Sequence, residues 1–236
     1  MHMTAATRFV DQYDLILLDL MDTLMFGGNR FSDREDYAQT YRQLGGTYHS
    51  DEDAQRVIEH TYDTMNAHYG DPAYYENFRP ATAYLTESLT DLDLPQADLD
   101  CLHDVFAYHE MGGIPDGHCR ALRTLATTHR LGLVSNLWSE KTPFVTAFRE
   151  QGILHLFDTL VFSSDHSIIK PAPQLFEIAL NELKADPYRT LFVGDSLERD
   201  VQGAEAVGLS AILITGNAES THAGLVVRDL PALLRL

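Results

Sequence analysis

No apolar run in this chain approaches the ~20 residues that a membrane-spanning helix requires. The opening segment, residues 1–8, lacks the basic stretch followed by an apolar one that marks a secretory signal, so a cytoplasmic protein is the expectation. Cysteine is scarce: Cys101 and Cys119 are too few for a disulfide framework, and neither sits at a metal-ligand spacing. Positive charge is short as well, with 17 Lys and Arg against 35 Asp and Glu and a net charge of −18. That balance argues against a nucleic-acid backbone or an anionic membrane as partner. It also requires that any anionic ligand be held by locally concentrated cations or by a metal. The 11 histidines are scattered and form no HExxH pair, and no GxGxxG follows the first apolar run, as a dinucleotide-binding fold would want.

What is present is an ordinary globular composition, 44% hydrophobic over 236 residues, enough for one large α/β domain or a core with an insertion. Residues 13–18, apolar apart from Asp14, form a short run ending at Asp19, which suits a buried parallel strand whose carboxyl end meets a loop. From Asn29 to Gly113 the patterns are helical: Tyr37, Tyr41 and Leu44; Val57, Ile58 and Met65; Tyr84, Leu85 and Leu89; Leu99, Leu102, Val105 and Phe106. Turn signals divide them at Gly45-Gly46, Gly70-Asp71-Pro72, Asp93-Leu94-Pro95 and Gly112-Gly113. Helix and strand then alternate. Helices are expected over 119–129, 141–151, 173–184 and 200–207, and strands over 131–134, 159–162, 190–193 and 210–214. Such alternation predicts an α/β fold, a doubly wound (Rossmann-like) parallel sheet with helices on both faces. Ligands bind such sheets beyond the carboxyl ends of the strands. The expected division is a core over 1–28 and 114–236, with an inserted all-helical domain over 29–113.

Polar residues follow four of these strands. Asp19 opens Asp19-Leu20-Met21-Asp22-Thr23-Leu24, and Ser135-Asn136 follows the second run. Lys170 stands in Lys170-Pro171-Ala172-Pro173, and Gly194-Asp195-Ser196 has Asp200 one turn into the next helix. Carboxylates, a hydroxyl and an ammonium around one crevice are the composition of a metal-assisted phosphoryl-transfer site, where positioning and charge neutralisation do most of the catalysis.

In this order and at these spacings the four stretches resemble motifs I to IV of the haloacid dehalogenase-like (HAD) hydrolase superfamily. The third is close to its Lys-Pro-x-Pro-x-x-Phe form, Lys170 through Phe176, and the fourth matches Gly-Asp-Ser-x-x-x-Asp-x-x-Gly-Ala, Gly194 through Ala204. The resemblance covers residues 9–28 and 114–236 and implies that 29–113 is the family's helical C1-type cap. It implies a hydrolase of a small phosphorylated metabolite, with Asp19 attacking phosphorus to form an aspartyl-phosphate. Thr23 would orient Asp19 and help seat the phosphoryl group, and Ser135 and Lys170 would bind phosphoryl oxygens; Asn136, by its own position after the strand, is either a substrate contact or a turn residue. Asp19, the backbone carbonyl of Met21 and Asp195 would ligate Mg²⁺, a hard cation that takes oxygen ligands. Asp200 and Ser196 would stand behind these groups, Asp200 orienting a metal water or Lys170.

One departure matters. The common phosphatase form of the first motif is Asp-x-Asp-x-Thr, whose second Asp is the general acid and base; here that position is Met21. A thioether has no proton to give, and losing a general acid or base typically costs about 10²–10⁴-fold in rate. The neighbouring Asp22 is expected to point elsewhere. The consequence is a substrate with a good leaving group such as an acyl phosphate, a proton supplied by the cap, or vestigial hydrolysis. Rival readings are a phosphate- and metal-binding protein without turnover and a dehalogenase-type hydrolase acting at carbon. The family's dehalogenases need no metal, and retention of Asp195 disfavours that branch. Its Schiff-base phosphonatases need a cap lysine, and no lysine occurs between Met25 and Gly113. In the insertion, Arg34, Arg42, Arg56 and Arg79 are the cations that could reach a substrate, each more often a solvated helix residue. Tyr37, Tyr41, Tyr62, Tyr69, Tyr74 and Tyr75 read as packing residues sooner than a ligand cage. His49, His60, His68, His103 and His109 are candidate proton donors.

Overall fold

The computed structural model describes residues 8–89, 95–216 and 224–236. Six strands form one parallel sheet in the order β3-β2-β1-β4-β5-β6: β1 (Leu15–Leu18), β2 (Arg130–Ser135), β3 (Thr159–Phe162), β4 (Thr190–Gly194), β5 (Ser210–Ile214) and β6 (Leu225–Val227). Every residue of β1 is buried, because a central parallel strand covered on both faces has no solvent side. Its side chains alternate between the two faces. Ile16 and Leu18 join a core with Leu133, Phe144, Phe148 and Val193, whereas Leu15 and Leu17 join one with Val134, Phe176, Leu180 and Phe192. The helices of the sheet layer are α5 (Asp116–Leu125), α6 (Thr142–Glu150), the short α7 (Ser163–His166), α8 (Pro173–Leu183) and α9 (Gly203–Ala206). This is the doubly wound α/β architecture that the alternation predicts.

Local details differ from the sequence expectation for identifiable reasons. The helix expected at 119 begins at Asp116, where Pro115 supplies the preset entry to the first turn. The helix expected over 200–207 winds first as a wide π turn, Leu197–Gln202, before α9. Strand β6 was not expected, being three residues long and too short to show a period. The turn expected at Asp93-Leu94 lies outside the described residues. No described helix is long and apolar enough to cross a membrane.

The described residues between β1 and α5 carry four α-helices: α1 (Tyr37–Gln43), α2 (Asp51–Tyr69), α3 (Ala81–Ser88) and α4 (Gln96–Glu110). Asp36 and Ser50 cap α1 and α2 through backbone amides, and Asp51, Glu52 and Asp53 complement the dipole of α2. These helices bury their own cluster, with Tyr37, Tyr41, Ile58, Leu85, Leu102 and Phe106 at its centre, to which the sheet layer contributes Ile169. The chain leaves and re-enters the sheet layer side by side: Phe26 and Gly113 exchange amide bonds of 2.8 Å, and the amide of Asn29 donates to Glu110 at 2.9 Å. Gly28 and Gly112 permit this approach, since a Cβ on either would collide with the opposite backbone.

Candidate active site

Because β1 lies between β2 and β4, their carboxyl ends stand next to one another. Asp19 leaves β1 still held to the sheet, its amide donating to the Val193 carbonyl at 2.9 Å. Ser135 ends β2, and Gly194 ends β4 immediately before Asp195. The crevice over these ends holds a cavity of about 270 Å³ bordered by Asp19, Met21, Lys170, Asp195, Arg199 and Asp200, among others.

At its floor, Asp19 is 5% exposed. The Ser135 hydroxyl donates to Asp19 Oδ1 at 3.1 Å, and the Lys170 ammonium donates to the same oxygen at 2.6 Å. Lys170, 2% exposed, also donates to Asp200 Oδ1 at 2.5 Å. Burial alone would pull its ammonium down, but Asp19 and Asp200 more than offset this and hold it above its ordinary range, so it stays charged. Burial pushes the Asp19 carboxyl up to about 6, against the pull of Lys170 and with a further push from Asp200. Asp200 is fixed in turn by the Ser196 amide, which donates to Oδ2 at 2.9 Å. Gly194 makes room for it: a Cβ there would run into the Asp200 carboxylate.

Asp195 opens to solvent at the cavity mouth. The protein packed around it still strips enough water to push its carboxyl up to about 7, with Asp19 and Asp200 adding to the rise. One oxygen of each of Asp19, Asp195 and Asp200 lies within 4.8 Å of the others. With Asp22 at the rim, four carboxylates face two cations, Lys170 and Arg199. Such a crowd of hard oxygen donors, two of them with raised pKa, fits a hard divalent cation. The Met21 carbonyl also accepts no backbone hydrogen bond among the described residues.

The structure therefore brings Asp19, Ser135, Lys170, Asp195, Ser196 and Asp200 to one place, but two expected partners are arranged otherwise. Thr23 is buried, and its hydroxyl donates to Asp195 at 3.4 Å, not to Asp19. Asn136 borders the cavity with its amide already committed. Its oxygen accepts from the Lys170 amide at 2.7 Å, and its nitrogen donates to the Lys170 carbonyl at 3.2 Å and to the Tyr69 hydroxyl at 3.1 Å. It thereby pins the backbone that carries the ammonium. Asp22 sits with φ 54° at the rim and is exposed.

Sequence reasoning missed Arg199. Its guanidinium donates to the Lys170 carbonyl and to the Tyr69 carbonyl, each at 2.7 Å, and lies 3.7 Å from the Tyr69 ring centroid. It ties the end of α2 to the sheet layer at the cavity wall. The available signal was its place immediately before Asp200, inside the fourth motif. Among the insertion arginines, Arg42 pairs with Asp51, Arg56 with Asp53 and Arg79 with Glu87. Neither these nor Arg34 borders the cavity, and neither do His49, His60, His68, His103 or His109. Tyr37 and Tyr41 pack inside the helical cluster, whereas Tyr69 reaches the cavity.

A family model for haloacid dehalogenase-like hydrolases matches residues 13–208. Among curated proteins, the glyceraldehyde 3-phosphate phosphatase of Methanothermobacter thermautotrophicus is 37% identical over 95 residues, 40% of this chain and 40% of that protein. The chain thus spans well under half the length of this relative. Among solved structures, a HAD phosphatase from Thermococcus onnurineus has a TM-score of 0.63 at 23% identity, covering 94% of this chain and 96% of the other. A 2-haloacid dehalogenase from Pseudomonas syringae pv. Tomato DC3000 also has a TM-score of 0.63, at 21% identity, covering 94% and 98%. At these identities the two structures speak to the fold alone.

Proposed function

The chain belongs to the haloacid dehalogenase-like hydrolase family, and on that premise we propose that it is a Mg²⁺-dependent hydrolase of small phosphomonoesters that works through an aspartyl-phosphate on Asp19. The observation that carries this reading is the floor of the crevice. With no phosphoryl group bound, Ser135 and Lys170 each donate to Asp19 Oδ1, which leaves Oδ2 as the attacking oxygen. Oδ2 forms a bond to phosphorus as the ester P–O bond breaks, the electron pair departing on the leaving oxygen. Water then attacks the phosphorus of the acyl phosphate, phosphate leaves and the carboxylate returns. Ser135 and Lys170 are placed to hold phosphoryl oxygens, and Asp200 keeps the ammonium aimed. Asp19, Asp195 and the Met21 carbonyl would hold the ion, with Thr23 steadying Asp195; what the ion supplies is charge neutralisation on the phosphoryl group. Residues 29–113 act as a cap that excludes water and selects the substrate, and Arg199 and Asn136 link it to the lysine backbone.

Met21 alters turnover, because the leaving oxygen departs beside a thioether and not beside a carboxylic acid. Reaction at carbon without metal is disfavoured by the three converging carboxylates, which such chemistry would leave with Lys170 as their one paired cation. The two buried cysteines are free thiols, which suits a reducing, cytoplasmic setting. The test is phosphate release from acetyl phosphate and from an alkyl phosphate, with Mg²⁺ and with chelator. Release is expected with Mg²⁺, lost in Asp19→Asn, and raised for the alkyl ester in Met21→Asp. Turnover of 2-haloacids in chelator would overturn the reading.

A further inference from the structure

A second cavity, of about 220 Å³, opens beside the first and shares Met21, Asn29, Tyr69 and Asn136 with it. Its far wall is aromatic. Phe31 and Tyr62 stack at 4.6 Å and 9°, Tyr62 and Trp138 at 5.6 Å and 29°, and Tyr69 meets Trp138 at 5.3 Å. Phe31, Tyr62 and Tyr69 come from the helical insertion, and Trp138 from the loop after β2. Among the described residues, no Lys, Arg or His borders this cavity. Its carboxylate, Glu110, is buried and occupied: it accepts the amides of Trp138 at 2.7 Å and Ser139 at 2.8 Å. A second anionic group on a substrate would meet no counter-charge here and would face a buried carboxylate.

We propose that this cavity receives the leaving group, and that the substrate is a phosphomonoester whose leaving group is uncharged and carries a flat aromatic ring. The proposal rests on the reading of Asp19 as the phosphoryl acceptor. Two separate observations meet in it. The stacked rings offer offset and edge contacts to another ring, with the Met21 thioether, a favourable neighbour for aromatics, on the side of the nucleophile. Independently, Met21 offers no proton to the departing oxygen. An alkoxide cannot leave easily without one, but a phenolic oxygen can, since its conjugate acid has a pKa of only about 10. As the P–O bond breaks, the electron pair is accepted by the ring oxygen, and solvent protonates the phenolate to the phenol after it leaves. The residue that denies proton transfer therefore also belongs to the wall that selects a group able to do without it.

Trp138 is the only tryptophan of the chain, so its fluorescence reports on the cavity directly. With the full chain and Mg²⁺, benzylphosphonate should change Trp138 emission saturably, while methylphosphonate, with the same head group and no ring, should not at equal concentration. In turnover, kcat/KM for phenyl phosphate should exceed that for phosphoserine by about 100-fold or more. In Tyr62→Leu the ratio of phenyl phosphate to acetyl phosphate efficiency should fall about tenfold, acetyl phosphate being too small to reach the rings. Acetyl phosphate turnover with no preference for the ring, or with phosphoserine preferred, overturns this assignment and leaves the phosphatase reading standing. No acetyl phosphate turnover at all overturns both.

Discussion

Replacing Lys170 by Met keeps the volume of the side chain and deletes one charge. The ammonium lies 2.6 Å from Asp19 and 2.5 Å from Asp200, and the three side chains are at most 8% exposed. The intact triad adds little net stability, because desolvation consumes most of the attraction. Removing one member leaves the others without counter-charge and costs about 3–5 kcal/mol. For a chain of this size that is a fall in Tm of roughly 6–20 °C. The pH dependence carries the diagnosis. Asp19 stands at about 6 with the ammonium beside it, and without it the carboxyl moves higher. A carboxyl raised in the folded state favours the fold at low pH and loses that contribution as pH rises through its folded value. The deficit of the variant should therefore be small near pH ~5 and largest near pH ~8. Thermal unfolding of both proteins in chelator, at those two pH values, measures it. An equal deficit at both, or one below about 2 °C, would refute the claim that this ammonium compensates the buried carboxylates.

Mg²⁺ binding should strengthen as pH rises from about 5.5 to 8 and then level off, because protons compete for carboxyls raised to about 6 at Asp19 and about 7 at Asp195. Calorimetric titration at several pH values reads this, and pH-independent binding would place the ion elsewhere. Arg199→Met removes two bonds to backbone carbonyls and the stack on Tyr69, so it should lower kcat/KM about tenfold while costing only about 1–3 kcal/mol in unfolding. A loss of stability without a loss of activity would make Arg199 a purely structural tie.

The fold was legible because helix and strand alternate after Ile114, and the candidate site because Asp19, Ser135, Lys170 and Asp195 each follow a strand. A parallel sheet with β1 between β2 and β4 has no choice but to bring those ends together. What could not be read were contacts between the helical insertion and the sheet layer. Tyr69 reads as one more apolar position on α2, and only packing shows it pressed between Arg199 and Trp138. Periodicity marks which face of a helix is buried, not which partner it meets. Asn136 illustrates a second limit. Its place after a strand suggested substrate contact, whereas both ends of its amide serve the Lys170 backbone. Thr23 is similar, its hydroxyl turned toward Asp195. Strand-end position identifies which residues gather, but hydrogen bonding decides what each is free to do.

Residue 21 shows how far that distinction reaches. Its carbonyl belongs to the turn after β1, where Leu24 and Met25 bond back to Leu20 and the Asp22 amide bonds to Met25, and these bonds involve no side chain of residue 21. Any residue that accepts the turn would offer the same carbonyl to the ion of the proposed site. The residue also borders both cavities, and nothing in the turn constrains the chemistry of its side chain. On the proposed reading, exchanging an acid for a thioether there would leave the cluster of Asp19, Asp195 and Asp200 intact and change only what meets the leaving group. Binding of the ion and handling of the proton would thus be separable at a single position. On the proposed reading, an impaired acid step would be no evidence of an impaired phosphoryl site, and the identity of residue 21 would bear on which ester is cleaved sooner than on whether one is.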